Sequence, residues 1–359
     1  MYRVTFEKDF SIIVVNYNGG EMLIRCIQSV LSQNYPSFEV ILVDNASIDG
    51  SFAPFEHCQN VIIVRNSHNQ GFAGGNNTGV KYATGKYLFL LNNDAVMEPG
   101  CLSGIARAFE EIPEAGVLHP KILSMSNPEL LDSCGAFWTS STLFYSYGNL
   151  KDQSLHCYNQ RMPFFALSGA ALCVRHEVII DIGLFDEDFW TFYEDIDFCH
   201  RAWVCGYECW YAPEGVVMHA GSATASSVDI SKVRYLNSRN RLISLLKNFE
   251  LKSLLTIIPI NLSVLIIQSL TWLVQGDFSS ALSAFKAIGY NITHANESLT
   301  KRRIVQSKRR NSDCDIFGEV KRNPRLSYYL ILGGKKGLGE YQDCLESTDF
   351  RTCDKHTRF

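Results

Sequence analysis

Short apolar runs alternate with polar clusters along the N-terminal part of the chain. Residues 11–15, 40–43, 61–64 and 87–91 are brief, rich in β-branched or aromatic side chains and bounded by turn formers, so each predicts a strand. Between the first two, Met22, Ile24, Cys26, Ile27, Val30 and Leu31 recur at roughly helical spacing and predict a helix over residues 21–33 packed on the sheet. Strand, helix, strand is the opening of an α/β domain with a mainly parallel central sheet. Later in the chain Gly215-Val216-Val217-Met218 predicts another strand, and Phe198, Cys199, Ala202 and Trp203 predict a helix beginning near residue 194.

In parallel sheets ligands gather beyond the carboxyl ends of the strands, and the polar clusters fall at those ends. Asn16-Tyr17-Asn18-Gly19 follows the first run, Asp44-Asn45-Ala46-Ser47 the second, residues 66–70 the third and Asn92-Asn93-Asp94 the fourth. Asp44 can accept hydrogen bonds from a pyrimidine imide N–H or from ribose hydroxyls, or it can simply form the strand-end turn. Tyr17 can stack on a base or cover the sheet edge. Asn69-Gln70-Gly71-Phe72-Ala73-Gly74-Gly75-Asn76-Asn77 allows backbone donors to approach a phosphate at the start of a helical pattern over residues 78–83, although a plain turn has the same composition.

Asp94 can hold a divalent cation, because Mg2+ keeps several waters and needs only one or two protein carboxylates; an Asx turn is the alternative. Glu194-Asp195-Ile196-Asp197 follows Trp190, Phe192 and Tyr193. Aromatic surroundings and mutual repulsion raise a carboxyl pKa in such a cluster, which suits a general base, while at a helix start the same acids offset the macrodipole. His219, after the strand at 215–218, is a candidate metal or diphosphate ligand or a structural imidazole.

Residues 121–162, dominated by Ser, Tyr and Phe, are expected to be irregular and to face substrate. Residues 253–276 lack charge and are long enough to cross a bilayer core, but Pro259, Asn261, Ser263, Gln268 and Ser269 interrupt them. A single crossing would carry Lys301, Arg302, Arg303, Lys308, Arg309 and Arg310 to the outer side, against the positive-inside tendency, so an interfacial or re-entrant helix pair is expected, with this basic cluster on anionic headgroups. Gly333-Gly334-Lys335-Lys336-Gly337 looks like a turn.

At 359 residues the chain has room for a catalytic domain and an appendage, and its 46% hydrophobic and 19% charged content fits a globular protein. A formal charge of -4 argues against a nucleic-acid binder. The 12 cysteines contain no CxxC pair and are expected to be reduced thiols in a cytoplasmic protein. Arg3, Glu7, Lys8 and Asp9 precede the short first apolar run, so export is not indicated.

Taken in order, Ser11-Ile12-Ile13-Val14-Val15-Asn16-Tyr17-Asn18, Val43-Asp44-Asn45-Ala46-Ser47-Ile48-Asp49-Gly50-Ser51, residues 69–77, residues 90–94 and Glu194-Asp195-Ile196-Asp197 resemble the family 2 glycosyltransferases, especially their rhamnosyltransferase-like branch. The resemblance implies a GT-A fold, Mg2+ or Mn2+ as cofactor, and inversion by single displacement. It implies that Asp44 contacts the nucleotide base, with Asn16, Tyr17, Asn69, Gly71, Gly75, Asn76 and Asn93 on the donor side. Asp94 then carries the metal in the position of the DxD motif, whose first carboxylate is missing here, and His219 resembles a further metal or diphosphate ligand. Asp195 deprotonates the acceptor, with Trp190, Glu194 and Asp197 on the acceptor side.

No QxxRW sequence follows, which favours transfer of one sugar over polymerisation. Tyr235-Leu236-Asn237-Ser238-Arg239-Asn240-Arg241 resembles the segment that joins the catalytic domain to the membrane-associated part in relatives acting on lipid-linked acceptors. The expected organisation is a catalytic domain over residues 1–230, a helical membrane-associated segment over 231–300, and a basic linker and tail over 301–359. The expected partners are a dTDP or UDP sugar, with dTDP-L-rhamnose first, a glycan or polyprenyl-linked acceptor, and the inner face of the cell membrane. A catalytically silent sugar-nucleotide or glycan-binding subunit competes with this reading, whereas a pyrophosphorylase is disfavoured because Asn16-Tyr17-Asn18-Gly19 has no cations.

Overall fold

The computed structural model describes residues 6–221, 229–331, 341 and 343, so the turn expected at residues 333–337 lies outside the described residues. The chain opens with β1 (Lys8–Asn16), α1 (Gly20–Leu31), β2 (Phe38–Asp44), β3 (Val61–Arg65), α2 (Gly71–Val80) and β4 (Gly85–Asn92). It continues through β5 (Ala95–Met97), α3 (Cys101–Glu111), β6 (Ala115–Ser124), β7 (Asn127–Ser133), β8 (Gly135–Trp138) and β9 (Phe144–Tyr147). Then come β10 (Met162–Pro163), β11 (Ala171–Arg175), α4 (His176–Ile182), α5 (Glu194–Val204) and β12 (Glu208–His219). Helices α6 (Ile230–Asn248), α7 (Leu251–Val274), α8 (Phe278–Thr293), α9 (Ala295–Ser307), α10 (Asp313–Val320) and α11 (Leu326–Ile331) follow.

Both faces of the sheet are covered, which is why its first strands read as nearly unbroken apolar runs. Along β1 the side chains alternate, with Ile13 packing into the layer that holds α2 and α5 while Ile12 and Val14 pack into the layer with α1 and α3. The strand order is β10-β12-β6-β11-β4-β1-β2-β3, with β5 beside β12 and β7 beside β6. Strands β4, β1, β2 and β3 are mutually parallel, as are β6 and β12, and β11 runs antiparallel between β4 and β6. In register, Asn16 lies opposite Asp44, Asp44 opposite Arg65, and Val15 opposite Asn92, so the polar clusters share one rim.

Helix α2 starts at Gly71, well before residues 78–83, and the glycine run is the helix itself. A Cβ on Gly75 would stand 2.6 Å from Val15 Cγ1, and one on Gly79 would stand 2.5 Å from Ile13 Cγ2. These glycines let the helix lie close on the sheet, and that packing outweighs a helix-propensity cost of about 1 kcal/mol per glycine.

Residues 121–162 are not irregular: they carry the end of β6, then β7 and the β8–β9 hairpin. Their aromatic residues Phe137, Tyr145, Tyr147 and Tyr158 are buried rather than facing substrate.

The expected boundary at residue 301 falls inside α9, and the C-terminal helices are part of the main core. Phe249, Val305, Ile316 and Val320 join the cluster that contains Trp138 and Phe165, and Phe249 stacks on Phe317 at 5.4 Å. Most of the basic cluster ties α9 and the residues just after it to the rest of the protein. Lys301 pairs with Asp186 and Asp188, Arg302 caps the carbonyls of Leu246 and Phe249, Lys308 donates to the Asp181 carbonyl, Arg309 donates to the Asn248 carbonyl, and Arg310 pairs with Asp181.

Among the described residues one helix, α7, is long and apolar enough to cross a membrane. It is followed by α8 in a packed pair, with Ser269 Oγ donating to the Ala281 carbonyl at 2.9 Å. Asp277, at the turn, caps α8 and pairs with Arg234 of α6 at 2.6 Å. The pair exposes Leu255 (81%), Val274 (88%), Phe278 (69%) and Phe285 (56%).

Candidate active site

The loops after β1 and β2 are tied to each other before any ligand is considered. Asn16 is fully buried, and its Nδ2 donates to Asp44 Oδ1 (3.1 Å), Ser47 Oγ (3.0 Å) and Ser51 Oγ (2.9 Å). Its Oδ1 accepts from the Gly19 N–H and from Asn93 Nδ2, the latter at 3.2 Å, which reaches across to the end of β4. The second Asp44 oxygen accepts from the Ser47 N–H at 3.1 Å. Asp44 therefore organises the strand-end turn as well as sitting at the rim. Asn45 extends the lattice to α2 by donating to the Gly71 carbonyl at 2.9 Å.

Beyond this rim opens a cleft of about 280 Å³ lined by residues of six chain segments. Of the residues expected from sequence, Tyr17, Asn69, Gly71, Asn93, Asp94, Trp190 and His219 line it. Tyr17 is 47% exposed, free to offer its ring face. The lining also includes Asn45, Asn92, Phe72, Thr191 and Phe192, which the strand-end and aromatic motifs contain but which composition alone did not single out.

Asn16, Gly75 and Asn76 stand behind the lining. Gly75 packs against Val15 and Asn45, and Asn76 turns its amide back to the Phe72 carbonyl of its own helix at 2.9 Å. Their contribution to the donor side is through the shape of the loop.

At the far side of the cleft His219, the last residue of β12, joins two carboxylates. Its Nε2 lies 3.3 Å from Asp94 Oδ1 and its Nδ1 lies 2.8 Å from Asp132 Oδ2. Burial alone would lower the imidazole pKa, but hydrogen bonds to Asp132 and Asp94 and their charges overcome this and lift it to about 9. Asp132, on β7, occupies Nδ1 and leaves Nε2 turned toward Asp94, the arrangement in which an outer carboxylate orients a ligating histidine. Nothing in the sequence pointed to Asp132, since it lies 87 residues from its partner in a segment without a motif.

Among the described residues no group of three or more His, Cys, Asp and Glu could hold a metal ion. Asp94 and His219 offer one carboxylate and one imidazole at the cleft. That donor set fits a cation held mainly by substrate phosphates and water.

The three acids at the start of α5 have separate fates. Asp195 Oδ2 accepts from the Gly169 N–H and Oδ1 from its own helix at Ile196, both at 2.8 Å. Asp195 is not among the residues that line the cleft; Gly169 lies against both Asp195 and the lining residue Phe72, and Ala170, the residue after Gly169, accepts from the Asn92 N–H at 3.0 Å. Burial pushes the Asp195 carboxyl up in spite of its backbone donors. Burial and the neighbouring Asp195 charge push Glu194 well above the usual carboxylate range, and its Oε2 has no hydrogen-bond partner. The two carboxyls are thus raised together, Glu194 by burial and the Asp195 charge and Asp195 by burial against its two N–H donors.

Asp197 is not on the acceptor side. It is fully buried, with Oδ2 accepting from Arg201 Nε and Lys247 Nζ and Oδ1 from Asn248 Nδ2, each at 2.9 Å. Helix periodicity turns it away from Asp195 and onto α6, where it anchors that helix to the catalytic domain.

Residues 11–164 match the family model described as Glycosyl transferase family 2. The low-salt glycan biosynthesis hexosyltransferase Agl10 of Haloferax volcanii is 29% identical over 55% of this chain and 62% of its own length. The chain thus spans less than two thirds of that relative. The N-acetylglucosaminyl-diphospho-decaprenol L-rhamnosyltransferase of Mycobacterium tuberculosis is 24% identical over 58% of this chain and 75% of its own length.

Among solved structures, S. aureus TarS 1-349 in complex with UDP-GlcNAc is similar over 83% of this chain and 90% of its own, at 17% identity and a TM-score of 0.56. GalNAc-T7 with UDP, GalNAc and Mn2+ is similar over 68% of this chain and 48% of its own, at 17% identity and a TM-score of 0.53. These likenesses establish the GT-A fold.

Proposed function

Since the chain carries a family 2 glycosyltransferase domain over residues 11–164, we propose that its cleft transfers one sugar, with inversion, from a nucleoside diphosphate donor to a saccharide or polyprenyl-linked saccharide. The observation that carries this reading is the meeting of Tyr17, Asn93, Asp94, Trp190 and His219 in one cleft at the carboxyl rim of β1, β2 and β4. Tyr17 and Asp44 receive the base and ribose. Asp94 and His219 would hold Mg2+ or Mn2+, which would supply charge neutralisation for the departing diphosphate. Asp195 accepts the proton of the acceptor hydroxyl while that oxygen bonds to the anomeric carbon and the bond to the diphosphate breaks.

The rhamnosyltransferase relative supports L-rhamnose from dTDP-L-rhamnose as the first donor to test, with a UDP-hexose next. That relative acts on N-acetylglucosaminyl-diphospho-decaprenol, which supports a lipid-linked acceptor for this chain as well. The apolar α7–α8 pair is the element of this chain suited to rest on a membrane surface.

Incubation with a panel of nucleotide sugars and Mn2+ tests the reading. One donor is expected to release its nucleotide, and the Asp195→Asn variant is expected to lose roughly 10²- to 10⁴-fold in turnover with nucleotide affinity kept. Binding without turnover of any donor, even slow hydrolysis, would instead establish a silent binding subunit.

A further inference from the structure

We propose that Asn240, on α6, is a positioning residue for the cleft: its side-chain amide holds residues 189–193 in the conformation that forms one cleft wall. Asn240 is fully buried, and its Nδ2 donates to three carbonyls of that segment, Phe189 (3.1 Å), Thr191 (3.1 Å) and Phe192 (2.7 Å). The segment needs an outside partner. Trp190, Phe192 and Tyr193 have φ of 60°, 67° and 74°, the left-handed region that side chains other than glycine rarely adopt. Such a conformation persists only where the surroundings impose it, and two of these three residues, Trp190 and Phe192, line the cleft together with Thr191 between them.

The amide is itself oriented. Arg239 Nε donates to Asn240 Oδ1 at 2.8 Å, and the same guanidinium donates to the Asp188 and Phe189 carbonyls at 2.7 and 3.2 Å. On its other side the wall meets the donor loop, where the Ala73 N–H donates to the Trp190 carbonyl at 3.1 Å. Asn240 thus connects α6 through the wall to the start of α2. Helix α6 is also the helix on which α8 packs, and Asn291 of α8 donates to the Arg239 carbonyl at 3.2 Å.

A space-filling asparagine and a positioning one differ in what their loss does. Loss of the first weakens the whole chain evenly; loss of the second frees the wall and slows chemistry while leaving donor binding in place. This inference rests on the cleft being the donor site, so the test carries one arm that is independent of it.

The full chain is compared with Asn240→Ala and with Arg239→Ala, a milder change at a partly exposed residue. Hydrogen exchange of residues 186–195 is followed by mass spectrometry, and hydrolysis of dTDP-L-rhamnose and UDP-glucose is followed with Mn2+ and water as acceptor. Exchange at 189–193 is expected to rise about tenfold or more with the rest of α6 unchanged. Hydrolytic kcat is expected to fall about tenfold or more with the donor KM within about threefold. Arg239→Ala should move both in the same direction by less, and it decides alone if Asn240→Ala fails to fold.

Unchanged exchange at 189–193, or faster exchange spread evenly over the chain, overturns the proposal, as does a kcat within about twofold of the parent. If the parent protein hydrolyses neither donor, the donor-site reading fails, and the exchange measurement still decides whether Asn240 holds the wall.

Discussion

Replacing Gly71 by alanine puts the geometry of the cleft to a quantitative test. Gly71 has φ of +73°, and a Cβ there would lie 2.5 Å from Trp190 Cδ1 and within contact of the Trp190 carbonyl oxygen. The left-handed conformation costs an L-alanine roughly 1–2 kcal/mol. A normal carbon contact needs about 3.5 Å, so the 190 wall must recede by about 1 Å. That displacement breaks the bond from the Ala73 N–H to the Trp190 carbonyl, whose loss costs about 1 kcal/mol more. The expected destabilisation is therefore about 2–3 kcal/mol, read as a lower urea midpoint at constant slope. A 1 Å misplacement at a reacting centre slows turnover by about 10²-fold, read as nucleotide release from the donor sugar. An alanine variant with parental stability and turnover within a few-fold would refute this account of how Gly71 and Trp190 shape the site.

Other consequences can be measured separately. Asp197→Ala removes the buried carboxylate shared by Lys247 and Arg201, leaving Lys247 with Asp186 and Arg201 with carbonyl acceptors alone, and should cost about 3 kcal/mol in chemical denaturation. Although burial raises the Asp197 carboxyl, the Lys247 and Arg201 charges win and depress it below the usual range. Its stabilisation is therefore full above an ordinary carboxylate pKa of about 3.9 and is lost as pH falls below it, so denaturation curves for Asp197→Asn should show a shallower acid slope than the parent. Asp132→Asn should weaken Mn2+ binding by about 10- to 100-fold in calorimetry with UDP present; unchanged affinity would remove Asp132 from the site. Phe278→Glu combined with Phe285→Glu removes two exposed rings from the α7–α8 face, each worth about 1.5–3 kcal/mol when buried, and should cut binding to anionic vesicles at least tenfold in flotation.

The first four strands and α1 were legible because their apolar patterns reflect a sheet covered on both sides. Their boundaries moved by only a few residues. The carboxyl rim followed from the same pattern, and with it Tyr17, Asn93 and Asp94. Helix α2 was misread because glycine lowers helix propensity, and its advantage here, close approach to Val15 and Ile13, exists only once the sheet is formed. The hairpin after β7 was hidden because its Tyr and Phe residues are buried against distant segments, such as Phe164 beside Phe137 at 4.6 Å. Within Glu194-Asp195-Ile196-Asp197 the chain cannot say which carboxylate is turned away onto α6. That depends on the rotation of α5 and on Lys247, 50 residues further along, which claims Asp197. The internal partners of the basic residues after 300, such as Asp186 for Lys301 and Asp181 for Arg310, lie more than 100 residues earlier and cannot be read from the cluster itself.

The antiparallel insertion of β11 beside β4 has a mechanical consequence for the carboxylates at the cleft. Gly169 grips Asp195, and its successor Ala170 grips Asn92, two residues before Asp94. The segments that carry the two acids are thus tied to each other through adjacent peptide units, so the strand pairing that builds the sheet also couples the start of α5 to the end of β4.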